Sequence, residues 1–135
     1  MRNSSIGQAV RTLGINREKK ETMENKNPID YPSALQRIGN DESFLKELID
    51  LYILTFESKR KELSRALAEK NFEEIRTIGH TLKGSSANLS LLPLQEISFQ
   101  LETAGKEANI AKVAGTLELL ELEFERLKAF VSAKA

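Results

Sequence analysis

The chain has 135 residues, about one ordinary domain's worth. Its 20 Lys and Arg balance 20 Asp and Glu, with 40% hydrophobic and 30% charged residues, so charge gives no reason to expect nucleic acid or an anionic membrane as partner. There is no cysteine and one histidine, which excludes disulfides, thiolate metal sites, cysteine nucleophiles and any centre built on two imidazoles.

Residues 1–27 differ from the rest. Ile6, Val10, Leu13 and Ile15 are scattered, and the polar run Arg17-Glu18-Lys19-Lys20-Glu21 follows. This stretch reads as a flexible leader or linker, with a helix across Ser5–Leu13 as the alternative. Its first residues open no apolar run, so no secretory signal is expected. No stretch approaches the roughly 20 apolar residues of a membrane span. A cytoplasmic location is expected.

From Pro28 onward the pattern is helical. Asp30 or Tyr31 opens a short helix with Pro32 in its first turn, running to Ile38 and broken by Gly39-Asn40. Asp41 caps a long helix over about 42–69, whose apolar positions Phe44, Leu45, Leu48, Ile49, Tyr52, Phe56, Leu63 and Leu67 recur at steps of three and four apart from one longer gap. Asn71 with Glu74 forms a capping box for the next helix, which runs to about Leu89. A turn at Ser90–Pro93 leads into a helix carrying Leu94, Ile97, Leu101 and Ala104 and ending at Gly105-Lys106. The last stretch has the cleanest period, Ile110, Val113, Leu117, Leu120, Phe124, Leu127 and Phe130.

Four amphipathic helices joined by short turns bury their stripes against each other. The expected fold is all-α: an antiparallel up-down four-helix bundle over residues 28–135, with a short additional N-terminal helix across one end, as a monomer.

His80 is then placed by helical geometry. With Leu82 at zero and about 100° per residue, Ile75, Ile78, Ser86 and Leu89 fall within about 40° and form the core stripe, while His80 falls near 160°. The ring therefore points away from the core. Lys83, Arg76, Ala87 and Gly84 lie on or beside the same face. A helical side chain leans toward the N-terminus, so the residue at i+4 normally covers residue i. Here that residue is Gly84, which covers nothing, and Gly79 is expected to leave the adjacent surface bare. Glycine inside a helix costs about 1 kcal/mol relative to alanine. Two of them beside the only histidine indicate that another molecule must reach the ring. A neutral imidazole is a nucleophile, and Lys83, with Arg76 one turn back, supplies cations for an added anion. That combination suits a phosphorylated histidine.

His80-Thr81-Leu82-Lys83-Gly84-Ser85-Ser86-Ala87-Asn88-Leu89 closely resembles the signature of histidine-containing phosphotransfer domains. Ala34-Leu35 with Gly39-Asn40-Asp41 before the long helix, and Leu101-Glu102 after the signature, agree with it. The resemblance covers residues 29–133. Two departures are Ser90, where the family often has glycine, and Gly79, where alanine is common. The resemblance implies a phosphocarrier that accepts a phosphoryl group from the phospho-aspartate of one receiver domain and passes it to an aspartate of another. His80 would be the carrier, Lys83 the phosphoryl-stabilising cation and Gly84 the access residue. The implied partners are response-regulator receivers and a hybrid sensor histidine kinase. The chain would need no cofactor, since Mg²⁺ belongs to the receiver. The initial Met and the leader favour a free-standing protein.

His80 and Glu102 stand at similar distances from the Ser90–Pro93 turn, so in an antiparallel hairpin Glu102 is placed to orient the ring through its second nitrogen. The alternative is a solvated carboxylate. Two other functions fit less well. Autokinase activity is not expected, because Thr81 stands where kinases place an acidic residue and no Gly-rich nucleotide segment is present. A metal bundle needs paired Glu-x-x-His units, and Thr77 stands where the glutamate would be. A helical adaptor that binds a receiver or kinase without carrying phosphate explains the helices but not the His80, Lys83 and Gly84 constellation.

Overall fold

Asp30, Asp41, Asn71 and Asn109 each stand just before a helix and turn a side-chain oxygen onto a free backbone N–H of its first turn. The acceptors meet Ser33 N at 3.3 Å, Phe44 N at 3.0 Å, Glu74 N at 3.2 Å and Lys112 N at 3.1 Å. The computed structural model describes residues 27–134. Within them are helices α1 (Tyr31–Arg37), α2 (Glu42–Ala68), α3 (Phe72–Asn88), α4 (Leu92–Lys106) and α5 (Ile110–Lys134), and no strand. The all-α class and the extra N-terminal helix are as expected. The leader expected over residues 1–27 lies, up to residue 26, outside the described residues.

Only α4 starts without a side-chain cap; Pro93 in its first turn lacks the N–H that would otherwise go unpaired. The turns close through left-handed residues, Asn40, Lys70, Ser90 and Ala108, with φ of 63°, 54°, 55° and 51°. Ser90 keeps this conformation without being glycine. Its backbone carbonyl accepts from Asp30 N–H at 2.9 Å, tying the α3–α4 turn to α1, and its hydroxyl adds a contact to Ser33 Oγ at 3.3 Å that a glycine could not make.

Side-chain pairings set the register. Tyr52 meets Ser86 at 2.8 Å and Arg65 meets Glu74 at 2.6 Å, so α2 and α3 run in opposite directions at these contacts. The rings of Phe56 and Phe124 stack 3.9 Å apart, and Arg60 donates to Glu121 at 2.7 Å, which does the same for α2 and α5. Arg37 donates to the carbonyl of Ala87 at 2.9 Å, holding α1 across the end where α3 stops.

The core takes Leu45, Ile49, Phe56, Ile75, Leu101 and Phe124 out of water, with other apolar residues around them. Each fully buried side chain of this kind contributes about 1.5–3 kcal/mol. Removing the stacked ring by Phe124→Ala would cost about 3–5 kcal/mol. Two stripe positions are not core. Ile110 is 46% exposed because it opens α5, past the end of α4 at Lys106, and Phe44 is 45% exposed because Leu45 and Ile49 take the inward side of α2. Among the described residues no helix is long and apolar enough to cross a membrane.

Candidate functional site

The inward stripe of α3 is as the helical angles require: Ile75, Ile78, Leu82, Ser86 and Leu89 are buried. Ser86 is satisfied there by the Tyr52 hydroxyl, whose pKa burial pushes up to about 12. With that face fixed, His80 must look outward, and its side chain is 67% exposed.

The two glycines of α3 do different things. A Cβ at Gly84 would meet nothing within 4 Å, so the space beside the ring is open. Gly79 does not leave bare surface. It is buried, and a Cβ there would lie 2.7 Å from Glu102 N and 3.2 Å from the carbonyl oxygen of Ser98. Its missing side chain lets α4 press directly on α3. Gly105 repeats the arrangement against Arg76 and Phe72, so the two helices touch backbone to backbone in opposite directions.

That contact brings Glu102 to the histidine. Its Oε2 lies 3.0 Å from His80 Nδ1 and its Oε1 lies 2.7 Å from Lys83 Nζ. The second is an ion contact between a 30% exposed ammonium and a 19% exposed carboxylate. Lys83 holds the Glu102 carboxyl below the usual carboxylate range; partial burial works against this and His80 adds to it. An ionised carboxylate only accepts, so His80 Nδ1 carries a proton and, in the neutral ring, Nε2 keeps the lone pair. The arrangement is an exposed imidazole with its tautomer held from behind, the geometry of an oriented nitrogen nucleophile.

Other residues singled out in the sequence sit near this group without joining it. Arg76 pairs with Glu73 on its own helix. Ala87 is half-buried on the same face, its carbonyl committed to Arg37. Phe99, 48% exposed, escapes a reading of the sequence, yet its ring lies 5.3 Å below Lys83 Nζ. Its place three residues before Glu102 on α4 is the signal that could have found it. No cluster of three or more His, Asp or Glu side chains that could hold a metal occurs among the described residues.

The family model for the Hpt domain matches residues 47–130, more than half of the chain, and His80, Lys83, Gly84 and Glu102 all fall inside it. The chain belongs to the Hpt domain family. It is similar to the phosphorelay intermediate protein YPD1 of Candida albicans, 26% identical over 98 residues that cover 70% of this chain and 53% of that protein. It is also similar to multistep phosphorelay regulator 1 of Schizosaccharomyces pombe, 29% identical over 89 residues that cover 63% of this chain and 30% of that one. The chain thus spans about half of the first relative and less of the second. No solved structure matches it significantly.

Proposed function

We propose that the chain is a phosphocarrier of a multistep phosphorelay, with residues 28–135 as its working unit and His80 as the carrier. The supporting observation is the exposed His80 ring with Nδ1 held by Glu102. The Nε2 lone pair attacks the phosphorus of a receiver's phospho-aspartate. The N–P bond forms, the acyl phosphate P–O bond breaks, and the aspartate leaves as carboxylate. The ring, which keeps its Nδ1 proton, becomes an imidazolium, and Glu102 stabilises that charge as it develops. Lys83 lies one turn from His80 and has ammonium donors to spare for the phosphoryl oxygens. Gly84 and Ala87 leave room for the receiver to approach, while Gly79 and Arg76 support the face. The reverse reaction delivers the group to a second receiver's aspartate.

Mg²⁺ would sit in the receiver, and the donor would be a receiver of a hybrid sensor kinase. ATP alone would not label the chain. The carrier is expected to work as a monomer in the cytoplasm. The test is incubation of the parent chain and His80→Gln with a panel of phosphorylated receiver domains. Acid-labile, alkali-stable label on the parent alone supports the proposal. Receivers that bind without transferring label would make the chain an adaptor instead.

A further inference from the structure

We infer that Gly79 is a positioning residue of this centre: the missing side chain at 79 seats Glu102 against α3 and thereby sets the His80–Glu102–Lys83 chain. The consequence for phosphotransfer rests on His80 being the carrier; the geometry does not.

A Cβ at 79 would lie 2.7 Å from Glu102 N, 3.0 Å from Glu102 Cα and 3.2 Å from the Ser98 carbonyl oxygen. All three are backbone atoms of a helix, which cannot swing aside as the end of a side chain does. One methyl group therefore displaces α4 at Glu102 itself. The carboxylate has little distance to give, since its contact to His80 Nδ1 is already 3.0 Å and hydrogen bonds of this type weaken past about 3.2 Å. Gly79 also adjoins His80 in sequence, so the two partners of that bond meet at this point of contact.

Close packing alone would explain a glycine here, and Gly105 separates the two readings. A Cβ at 105 would lie 2.8 Å from Arg76 N and 3.1 Å from the Phe72 carbonyl oxygen, a clash of the same severity. It presses on α3 a turn before His80 and not on the backbone of the residue that holds the ring. If Gly79 served packing only, alanine at either position would have the same effect.

The experiment is ¹⁵N NMR of the His80 ring in the full chain, at a pH where the imidazole is neutral. The variants are the parent, Gly79→Ala, Gly105→Ala and Glu102→Ala. The parent is expected as the Nδ1–H tautomer. In Gly79→Ala the ratio of Nδ1–H to Nε2–H falls about 5-fold or more, the size of one hydrogen bond's net contribution, and approaches that of Glu102→Ala. Gly105→Ala melts lower but keeps the parent ratio. A parent-like ratio in Gly79→Ala, or an equal fall in Gly105→Ala, overturns the inference.

If Gly79→Ala does not fold alone, it is made with Ala108→Gly, which relieves the left-handed Ala108 in the distant α4–α5 turn and keeps the comparison available. Phosphoryl acceptance from a receiver is measured in parallel. A tautomer change in a chain that never takes label would leave the inference standing and remove the carrier role. Label on a Gly79→Ala chain with the parent ratio and rate would do the reverse.

Discussion

Gly79 and Gly84 share one helix and face opposite conditions: a Cβ at 79 would strike the backbone of Glu102, and a Cβ at 84 would meet nothing within 4 Å. Replacement at 84 is therefore free of steric cost and regains helix propensity, up to about 1 kcal/mol. Gly84→Leu or Gly84→Gln is expected to melt at or above the parent temperature while slowing transfer, because the new side chain leans back over the ring. Melting curves and transfer kinetics on the same samples decide it. Parent-like transfer would refute the access role.

His80→Gln is expected to fold and melt like the parent, since the ring is two-thirds exposed and its removal opens no cavity. It should take no phosphoryl group. Label that persists on the variant would place the acceptor elsewhere.

Lys83→Ala is expected to keep the fold and to lose transfer rate, phosphohistidine lifetime or both. A charge-assisted contact is worth about 1–3 kcal/mol, roughly 5- to 150-fold. Arg76→Ala should change these far less, because its guanidinium is engaged by Glu73. Time courses of label gain and loss check both. Equal effects from the two substitutions would show that neither cation acts at the ring specifically.

Stability should fall as pH rises toward neutrality, and Glu123 is the reason. Its side chain is 6% exposed, its Oε1 accepts from Arg126 at 2.7 Å, and its Oε2 is buried without a hydrogen bond. Burial raises its pKa from 4.5 to about 7, only partly opposed by Arg126. The folded state thus holds this proton more tightly than the unfolded chain. Its contribution is fully present below about 4.5 and is lost as pH rises through about 7. About 1–3 kcal/mol is at stake. Glu123→Gln should remove most of that slope. Denaturant titrations at about pH 5 and about pH 8 would show it; an equal slope in the parent and the variant would exclude Glu123.

Much of this arrangement was legible in the sequence because it depends on a single helix. Asp30, Asp41 and Asn71 marked helix starts by local chemistry, and the Ile75–Leu89 stripe turned His80 outward by angle alone. Glu102 was reachable because two helices joined by a short turn have nearly fixed heights. What one helix cannot reveal is the distance to the next. Gly79 read as bare surface because a missing Cβ looks the same in sequence whether solvent or a backbone faces it. The helical step puts Lys83 one turn from His80, but its contact with Glu102 depends on how closely α4 approaches. Glu123 lies among charged and leucine positions of α5, and small rotations of that helix decide which glutamate turns inward. Ile110 and Phe44 show the complementary limit: a period continues to the end of a helix, whereas burial requires a neighbour there.

The turn between α3 and α4 is only a few residues long, and the Leu91 N–H closes it onto the Ser86 carbonyl at 2.9 Å. Bringing such near segments together costs little chain entropy, and the backbone contacts at Gly79 and Gly105 then clamp the pair along its length. His80, Lys83 and Glu102 all ride on this one hairpin. Partial opening that frays the far end of α5 would leave the three together. The centre is therefore carried by a unit of contiguous chain, and fraying elsewhere in the domain would leave the His80 ring oriented as before.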